Sequence, residues 1–178
     1  MAIRSVALAG MISDTSLYNI DGACVVGGAA PIPVGTFVGV TSAQPVDGHK
    51  VVGLPAVIGK PVKPYGVVVR SHYETPDGTA RVNEAVNVMT HGRIWVRTTL
   101  AAAPAFGSKV FVNASGVVAA EAAAAASSAV WETGFTFTGG YASAYANNGS
   151  DPIKQGESYD GAIVEVQLIQ SADSTVAD

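Results

Sequence analysis

The sequence is poor in charge, in cysteine and in histidine. Only 13% of its 178 residues are charged, about half the share that is usual in soluble domains. Its ten basic residues are scattered among fourteen acidic ones. This scatter argues against a nucleic-acid partner, because such proteins concentrate basic residues on one face. The single cysteine, Cys24, excludes an intramolecular disulfide, so nothing indicates an oxidising compartment.

Long unbroken hydrophobic runs are also missing. Residues 22–46 carry no charge, but glycines, prolines and polar residues interrupt them. A membrane-spanning helix would not tolerate so many glycines, prolines and polar residues, so we expect no membrane partner. The apolar run near the N-terminus is short and broken by Ser5 and Gly10, and we therefore expect no signal peptide.

Small and β-branched residues fill the chain instead. It contains 29 Ala and 26 Val but only 5 Leu. Helix-rich domains favour Leu, Glu and Lys, whereas Val packs well on a pleated sheet. Twenty Gly and nine Pro supply many turns. This composition predicts an all-β protein.

Roughly eight short segments are typical of strands, at regular spacing and without alternating helices. They include Val34–Thr41, Val67–Glu74, two pieces around Gly92 in Val88–Thr98, Ser108–Asn113, Val117–Glu121, Trp131–Gly139 and Ala162–Gln170. Such a series predicts an antiparallel β-sandwich or a jelly-roll-like barrel. Asp47-Gly48 and Ser115-Gly116 mark turns, the second of them inside a hairpin.

The segments outside these strands suggest how the chain is organised. Residues 1–21 are interpreted as an N-terminal arm, with a polar loop at Ser13–Gly22. Residues 22–178 are interpreted as a single β domain with a flexible tail from about residue 171. The Ala-rich run Glu121–Ala129 is either a short helix or a mobile loop, and Gly140–Gly161 is predicted to be a long polar loop.

A search for chemistry finds no catalytic set. The three histidines, His49, His72 and His91, do not have the spacing of a zinc site, and Cys24 fits a small buried side chain. No Gly-x-Ser-x-Gly motif is present. The carboxylates lie mostly in turns, with no aromatic platform for a sugar. We therefore expect no enzyme, no metal and no cofactor.

One strand segment carries an unusual stripe. In an extended strand, Arg93, Trp95 and Arg97 face one way while Ile94 and Val96 face the other. The stripe is either a contact patch, since Arg and Trp anchor interfaces, or a cation–π ladder around a partly buried Trp.

The predicted long loop and arm offer further candidate contacts. Tyr141, Tyr145 and Tyr159 lie among small polar residues, which is typical of either a contact loop or a disordered one. Ile3 and Arg4 are the candidate contacts in the arm.

Four strings then resemble the cement (decoration) proteins of tailed-bacteriophage capsids, over roughly the central and C-terminal two-thirds of the chain. The strings are PIPVGTFV (Pro31–Val38), NVMTHGRIWVR (Asn87–Arg97), APAFGSKVFVNASGVVAA (Ala103–Ala120) and GAIVEVQLIQ (Gly161–Gln170). Their order matches: a strand with a glycine, an outward strand, a hairpin with a glycine turn, and a closing apolar strand.

The resemblance implies a jelly-roll-like protein, made in the host cytoplasm, that binds the outer surface of a virion capsid. It would bridge neighbouring major capsid subunits and strengthen the head against internal DNA pressure, without catalysis or cofactor. It would act as an oligomer, with a homodimer favoured and a homotrimer as the alternative. The competing hypothesis is a receptor- or glycan-binding β-module on a virion surface.

Overall fold

The computed structural model describes residues 7–42, 44–57, 60–61, 63–71, 75–121, 130–144, 157–158 and 160–169. Fourteen β-strands lie within these residues. They are β1 (Ile12–Val26), β2 (Ile32–Pro33), β3 (Phe37–Val40), β4 (Lys50–Gly53), β5 (Ala56–Val57), β6 (Lys60–Pro61), β7 (Gly66–Val68), β8 (Thr79–Ala80), β9 (Ala85–Arg97), β10 (Lys109–Asn113), β11 (Val118–Ala119), β12 (Val130–Ala144), β13 (Glu157–Ser158) and β14 (Ile163–Leu168).

The N-terminal half forms a closed circuit of paired strands. Its order is β1–β4–β3–β7–β9, and β9 pairs again with β1. The β1–β4 pairing is parallel, with Val25 opposite Val51, and the other pairings of the circuit are antiparallel. A closed circuit removes free strand edges, which otherwise invite uncontrolled pairing between chains.

The C-terminal half is built on the other part of the same long strand. β9 continues through β14, β12 and β10 to β11, all by antiparallel pairing. A single bridge between Thr98, just after β9, and Val118 in β11 brings the two ends of this series together. Strand β9 therefore belongs to both halves.

Two hydrophobic cores correspond to these two halves. The first contains Cys24, Val26, Ile32, Val34, Val38, Val52, Val68, Ala80, Val86 and Val88. The second contains Phe37, Val67, Val69, Met89, Ile94, Val96, Val110, Val112, Val118, Phe135, Phe137, Val164, Val166 and Leu168. Phe37 and Phe135 stack in the second core, with ring centroids 5.9 Å apart.

Strands β3 and β7 form a wall between the cores. Phe37 and Val67 point into the second core, while their neighbours Val38 and Val68 point into the first, and all four are fully buried. A strand buried on both faces needs a continuous apolar run instead of an alternating one. The runs at Phe37-Val38 and Val67–Val69 meet that requirement.

A polar contact closes the first core beside Cys24. The Asp21 carboxylate accepts hydrogen bonds from Lys50 Nζ at 2.8 Å, from the Tyr65 hydroxyl at 2.6 Å and from the Ala23 amide at 2.9 Å. Burial raises the pKa of Asp21, but these hydrogen bonds outweigh burial and hold it below its ordinary value. The contact ties β1 to β4 and to the residue before β7.

Gly92 allows β1 to cross β9 closely. Between the pairs Asp14–Arg93 and Asn19–His91, β1 has four intervening residues and β9 has only Gly92. The glycine has a φ of 109°, and a Cβ there would lie 2.8 Å from the Leu17 carbonyl oxygen. The backbone of β1 therefore approaches Gly92 too closely for a side chain there, and β1 bulges outward opposite it.

The all-β, mostly antiparallel prediction is confirmed, as are the β10–β11 hairpin and strand β14. The polar loop predicted at Ser13–Gly22 is wrong, because these residues lie inside β1. The predicted boundary at residue 21 also falls within β1, and the division into arm and domain stays a prediction. Within the described ranges, no helix is long and apolar enough to cross a membrane.

Three other predictions concern residues that the structure describes only in part or not at all. In the Ala-rich run, residues 122–129 lie outside the described residues, as does the tail from residue 171. In the predicted loop at Gly140–Gly161, the first five residues belong to β12, Glu157 and Ser158 form β13, and residues 145–156 lie outside the description.

Candidate functional site

The candidate contact stripe lies on the outer face of β9, defined by Arg93, Trp95 and Arg97. Ile94 and Val96 are fully buried in the second core, whereas Arg93 is exposed and Trp95 and Arg97 are half-buried. The predicted alternation of the two faces is therefore confirmed. The three stripe residues nevertheless differ in what they contact.

Arg97 is held inside the molecule. Its Nε donates to the Val34 carbonyl oxygen at 2.9 Å and its Nη1 to the Asp160 carbonyl oxygen at 2.8 Å. Its Nη2 lies 3.4 Å from Asp160 Oδ1. These contacts hold the Arg97 guanidinium against the fold and give Arg97 a structural role.

Asp160 receives a second arginine on its other carboxylate oxygen. Arg70 Nη2 lies 2.8 Å from Asp160 Oδ2, and the same oxygen accepts the Ala9 amide at 2.9 Å. Arg70 Nε also donates to the Ala9 carbonyl oxygen at 2.9 Å. We call Arg70, Arg97 and Asp160 the Asp160 cluster. It joins the residues before β1 (7–11, the N-terminal segment), the ends of β7 and β9, and the turn before β14.

Trp95 lies beneath the N-terminal segment. It packs beside a small cluster formed by Ala7, Ala9, Ala142 and Ile163. Its backbone accepts the Gly10 amide at 2.7 Å and donates to the Met11 carbonyl oxygen at 3.0 Å. A Cβ at Gly140 would lie 2.8 Å from Trp95 Cη2, so the absence of a side chain there makes room for the indole. Only one part of the ring is left for a partner.

Arg93 is the stripe residue that a partner can reach. Its Nε donates to Gln167 Oε1 at 3.1 Å on the exposed face of β14. Across β1 it lies opposite Asp14, whose pKa is lowered by the side-chain and backbone hydrogen bonds of Ser16 and, to a smaller extent, by the Arg93 charge. The strand register continues this polar row through Gln167 to Thr136.

A second polar row runs beside the first. The Glu165 carboxylate accepts hydrogen bonds from the hydroxyls of Ser13 and Thr138 on the two flanking sides. Glu165 lies opposite Trp95 across the strand pair. Both oxygens of this carboxylate have hydrogen-bond partners, so Glu165 ties β14 to β1 and to β12.

The tyrosines predicted as contacts fall into two groups. Tyr141 is half-buried, packs against the second core, and donates its hydroxyl to the Leu100 carbonyl oxygen at 3.1 Å. Tyr145 and Tyr159 lie outside the described residues, as do Ile3 and Arg4 in the arm. Their roles as contacts stay predictions.

Two exposed apolar positions were not predicted. Phe106 is 80% exposed in the connection before β10, and Leu17 is 71% exposed on the β1 bulge. Phe106 had a sequence signal, since an aromatic residue stood between alanines and a glycine in a stretch without charge. Leu17 had none, because its neighbours are polar.

Neither metal chemistry nor thiol chemistry is supported by the described part of the chain. No group of three His, Cys, Asp or Glu side chains there could hold a metal ion. Cys24 is fully buried, and this burial raises the pKa of its thiol to about 12.

Comparison with known proteins finds a matching family and a solved structure with a similar fold. Residues 2–169 match the model of a family described as "Structural cement protein (E217 gp24/Pam3 gp6)". The fold is similar to a chain from a structure titled "The capsid of Myoviridae Phage XM1", with a TM-score of 0.58 and 14% sequence identity, over 90% of this chain and 88% of that one. A search of curated proteins gave no match.

Proposed function

The chain belongs to the structural cement protein family of phages, and from that premise we propose that it bridges neighbouring major capsid subunits on the outer surface of the head. As a member of this family it is a structural protein that binds the capsid, and its place is the capsid surface of the virion. The bridging, the contact residues and the oligomeric state are the proposed part.

The observation that carries the proposal is the extent of the family match. It covers residues 2–169, which include the N-terminal segment, both cores and strand β14. The match therefore takes in both cores of the described fold.

The distribution of charge supports a neutral, shape-matched contact. Ion pairs among the described residues include Lys50–Asp21, Arg70–Asp160, Arg97–Asp160, Arg81–Glu84 and Lys109–Glu132. Because these charges are compensated internally, they would contribute little long-range attraction to the shell. Several weak contacts to adjacent subunits would instead add up through avidity.

Within the stripe, Arg93 is the proposed contact residue. It is exposed and held by one side-chain hydrogen bond, to Gln167. Trp95 contributes the part of its ring that the N-terminal segment leaves uncovered. Ile3, Arg4, Tyr145 and Tyr159 stay in the proposal as further contacts, whereas Arg97 and Tyr141 serve to hold the fold that presents them.

Self-association is the remaining part of the proposal. A homodimer is favoured, with a homotrimer as the alternative, because an oligomer multiplies the contacts that one particle makes with the shell. Sedimentation equilibrium tests it directly: a dimer has twice the 18.0 kDa mass of one chain. A mass equal to one chain at all concentrations would remove self-association from the proposal.

Co-sedimentation with empty phage heads tests the bridging function. We expect the protein to pellet with heads at a saturating, fixed ratio to shell subunits, and to do so nearly as well in high salt as in low salt. Arg93→Ala should weaken binding, whereas Arg81→Ala, at an exposed arginine paired with Glu84, should not. A protein that stays in the supernatant with its own heads would contradict the proposal.

The two arginine variants also separate the function from the choice of face. If wild-type protein binds heads and Arg93→Ala binds equally well, the function stands and the contact lies elsewhere on the surface. Arg97→Ala is unsuitable for this test, because it removes a cation from the Asp160 cluster and would weaken the fold itself.

A further inference from the structure

The connection between β9 and β10 presents an apolar surface to solvent. We call residues 100–107 the Phe106 loop. Ala101, Ala102, Ala103 and Ala105 are all exposed, and Phe106 is 80% exposed. Single exposed apolar residues are common on protein surfaces, but a contiguous exposed apolar stretch around an aromatic side chain marks a site of interaction.

The loop is held firmly at both ends. At its start, Leu100 packs against the second core and its carbonyl oxygen accepts the Tyr141 hydroxyl at 3.1 Å. At its end, the Gly107 amide donates to the Phe137 carbonyl oxygen at 2.8 Å, and the Phe137 amide donates to the Ser108 carbonyl oxygen at 3.0 Å. An aromatic side chain on a fixed backbone loses little conformational entropy when it binds.

The turn that carries Phe106 is itself closed by hydrogen bonds. The Ser108 hydroxyl donates to the Ala105 carbonyl oxygen at 2.6 Å, and the Ser108 amide donates to the same oxygen at 3.2 Å. Gly107 has a φ of 75°, and a Cβ there would meet nothing within 4 Å. The glycine is therefore needed for its left-handed backbone and not for space. This conformation directs the preceding residue outward.

The charges that flank the loop are compensated. Residues 98–108 contain no charged side chain. The charged residue before them, Arg97, is bound to Asp160, and the one after them, Lys109, has its Nζ 2.9 Å from Glu132 Oε1. A partner for this surface must therefore be apolar and uncharged at the point of contact, because a charge buried against the loop would lose its hydration without gaining a counterion.

We propose that Phe106 inserts into an apolar, uncharged cleft on the outer surface of the major capsid protein and is a principal anchor of this chain on the shell. The inference rests on the proposed function, since it names the element that makes the contact. It adds a contact site separate from Arg93. The Phe106 loop leads into β10, which pairs with β12 on the side away from β14.

The area of the loop favours the shell over a second copy of this chain. An aromatic side chain buries roughly 150–250 Å², whereas a stable pairwise interface needs about 800 Å² from each partner. One ring and four alanine methyl groups fall well short of that area. A small anchor is effective where other contacts of the same particle act at the same time, as they do for a protein bound across several shell subunits.

The test compares four proteins in a binding titration with empty heads: wild type, Phe106→Ala, Phe106→Leu and the matched control Leu17→Ala. Leu17 is a similarly exposed apolar residue, at 71% exposure, but sits on the β1 bulge. We expect Phe106→Ala to bind at least about thirtyfold more weakly, which is the lower limit for an interface hot spot. Phe106→Leu should retain part of the affinity, and Leu17→Ala should bind as wild type does.

Three measurements keep the outcomes separate. All four proteins should unfold at nearly the same temperature, because the two side chains are exposed, so a loss of binding is not a loss of fold. Equal binding of Phe106→Ala and wild type would overturn the inference while leaving the proposed function intact. A change in the oligomer mass of Phe106→Ala without a change in head binding would assign the loop to a second copy and overturn it as well. Failure of wild type to bind would overturn the proposed function.

Discussion

Removing the Asp160 carboxylate should destabilise the protein more than any surface ion pair could. The side chains of Arg70, Arg97 and Asp160 are 24%, 23% and 16% exposed. Asp160→Ala removes the carboxylate that both partly buried guanidinium groups contact, and it removes the acceptor of the Ala9 amide. Three separate parts of the chain lose the group that connects them.

The expected loss of stability lies between the values for exposed ion pairs and those for fully buried ones. Exposed ion pairs contribute about 0–1 kcal/mol, and breaking a fully buried pair costs about 3–5 kcal/mol. The cluster is mostly but not wholly buried, and both arginines keep hydrogen bonds to main-chain oxygens of Ala9 and Val34. We therefore expect a loss of about 2–3 kcal/mol in the free energy of unfolding. For a chain of this size that corresponds to a melting temperature lower by about 4–12 °C.

Denaturant unfolding at neutral pH measures the effect, with Glu84→Ala as the control. Glu84 forms an exposed pair with Arg81, with side-chain exposures of 50% and 62%, and its loss should cost less than about 0.5 kcal/mol. Asp160→Asn, which keeps the size of the side chain and one acceptor oxygen, should fall between the two. If Asp160→Ala lost no more stability than Glu84→Ala, the cluster would not hold the fold in the way described.

Three further predictions follow from the fold. Gly66→Ala places a Cβ 2.4 Å from the Met89 carbonyl oxygen and should lower the free energy of unfolding by about 2 kcal/mol. Gly22→Ala is the control and should be nearly neutral, because its Cβ would lie 3.5 Å from its nearest neighbour. Equal melting temperatures of the two variants would refute this. Cys24, with a pKa of about 12, should react with a thiol reagent at pH 8 only after unfolding, and fast labelling of native protein would count against its burial. Because the pKa of Asp21 is lowered on folding, its carboxylate stabilises the protein above about pH 4 and loses that effect as the pH falls. Asp21→Asn should therefore be less stable at neutral pH, with the difference shrinking in acid, and a constant difference would contradict this.

The strands that could be predicted from the sequence are those whose signals are local. β14 alternates along its length, and β10 and β11 flank a Ser-Gly turn, so each needs only its own residues to be recognised. β1 gives no such signal, because residues 15–19 are exposed and polar residues surround Leu17. It is a strand because β9 supplies hydrogen-bond partners along its length, and that partner lies some seventy residues away.

In the candidate site, too, local features could be predicted from the sequence and contacts with distant residues could not. Alternation placed Arg93 and Trp95 on one face correctly, but it could not distinguish an arginine that faces solvent from one bound to Asp160. That distinction depends on a turn 63 residues after Arg97 and on the position of the N-terminal segment. The 80% exposure of Phe106 could not be predicted, because a sequence gives no measure of how far a side chain stands out from its surroundings.

The central claim is that this protein strengthens the head by binding across its subunits. The most direct measurement is the temperature at which DNA-filled heads release their DNA, for heads lacking the protein, for the same heads after its addition, and for heads given Phe106→Ala and Arg93→Ala together. We predict that heads without the protein release DNA at a lower temperature, that adding it at a saturating ratio restores the release temperature, and that the double variant does not restore it. Heads that release DNA at the same temperature with and without the bound protein would contradict the claim.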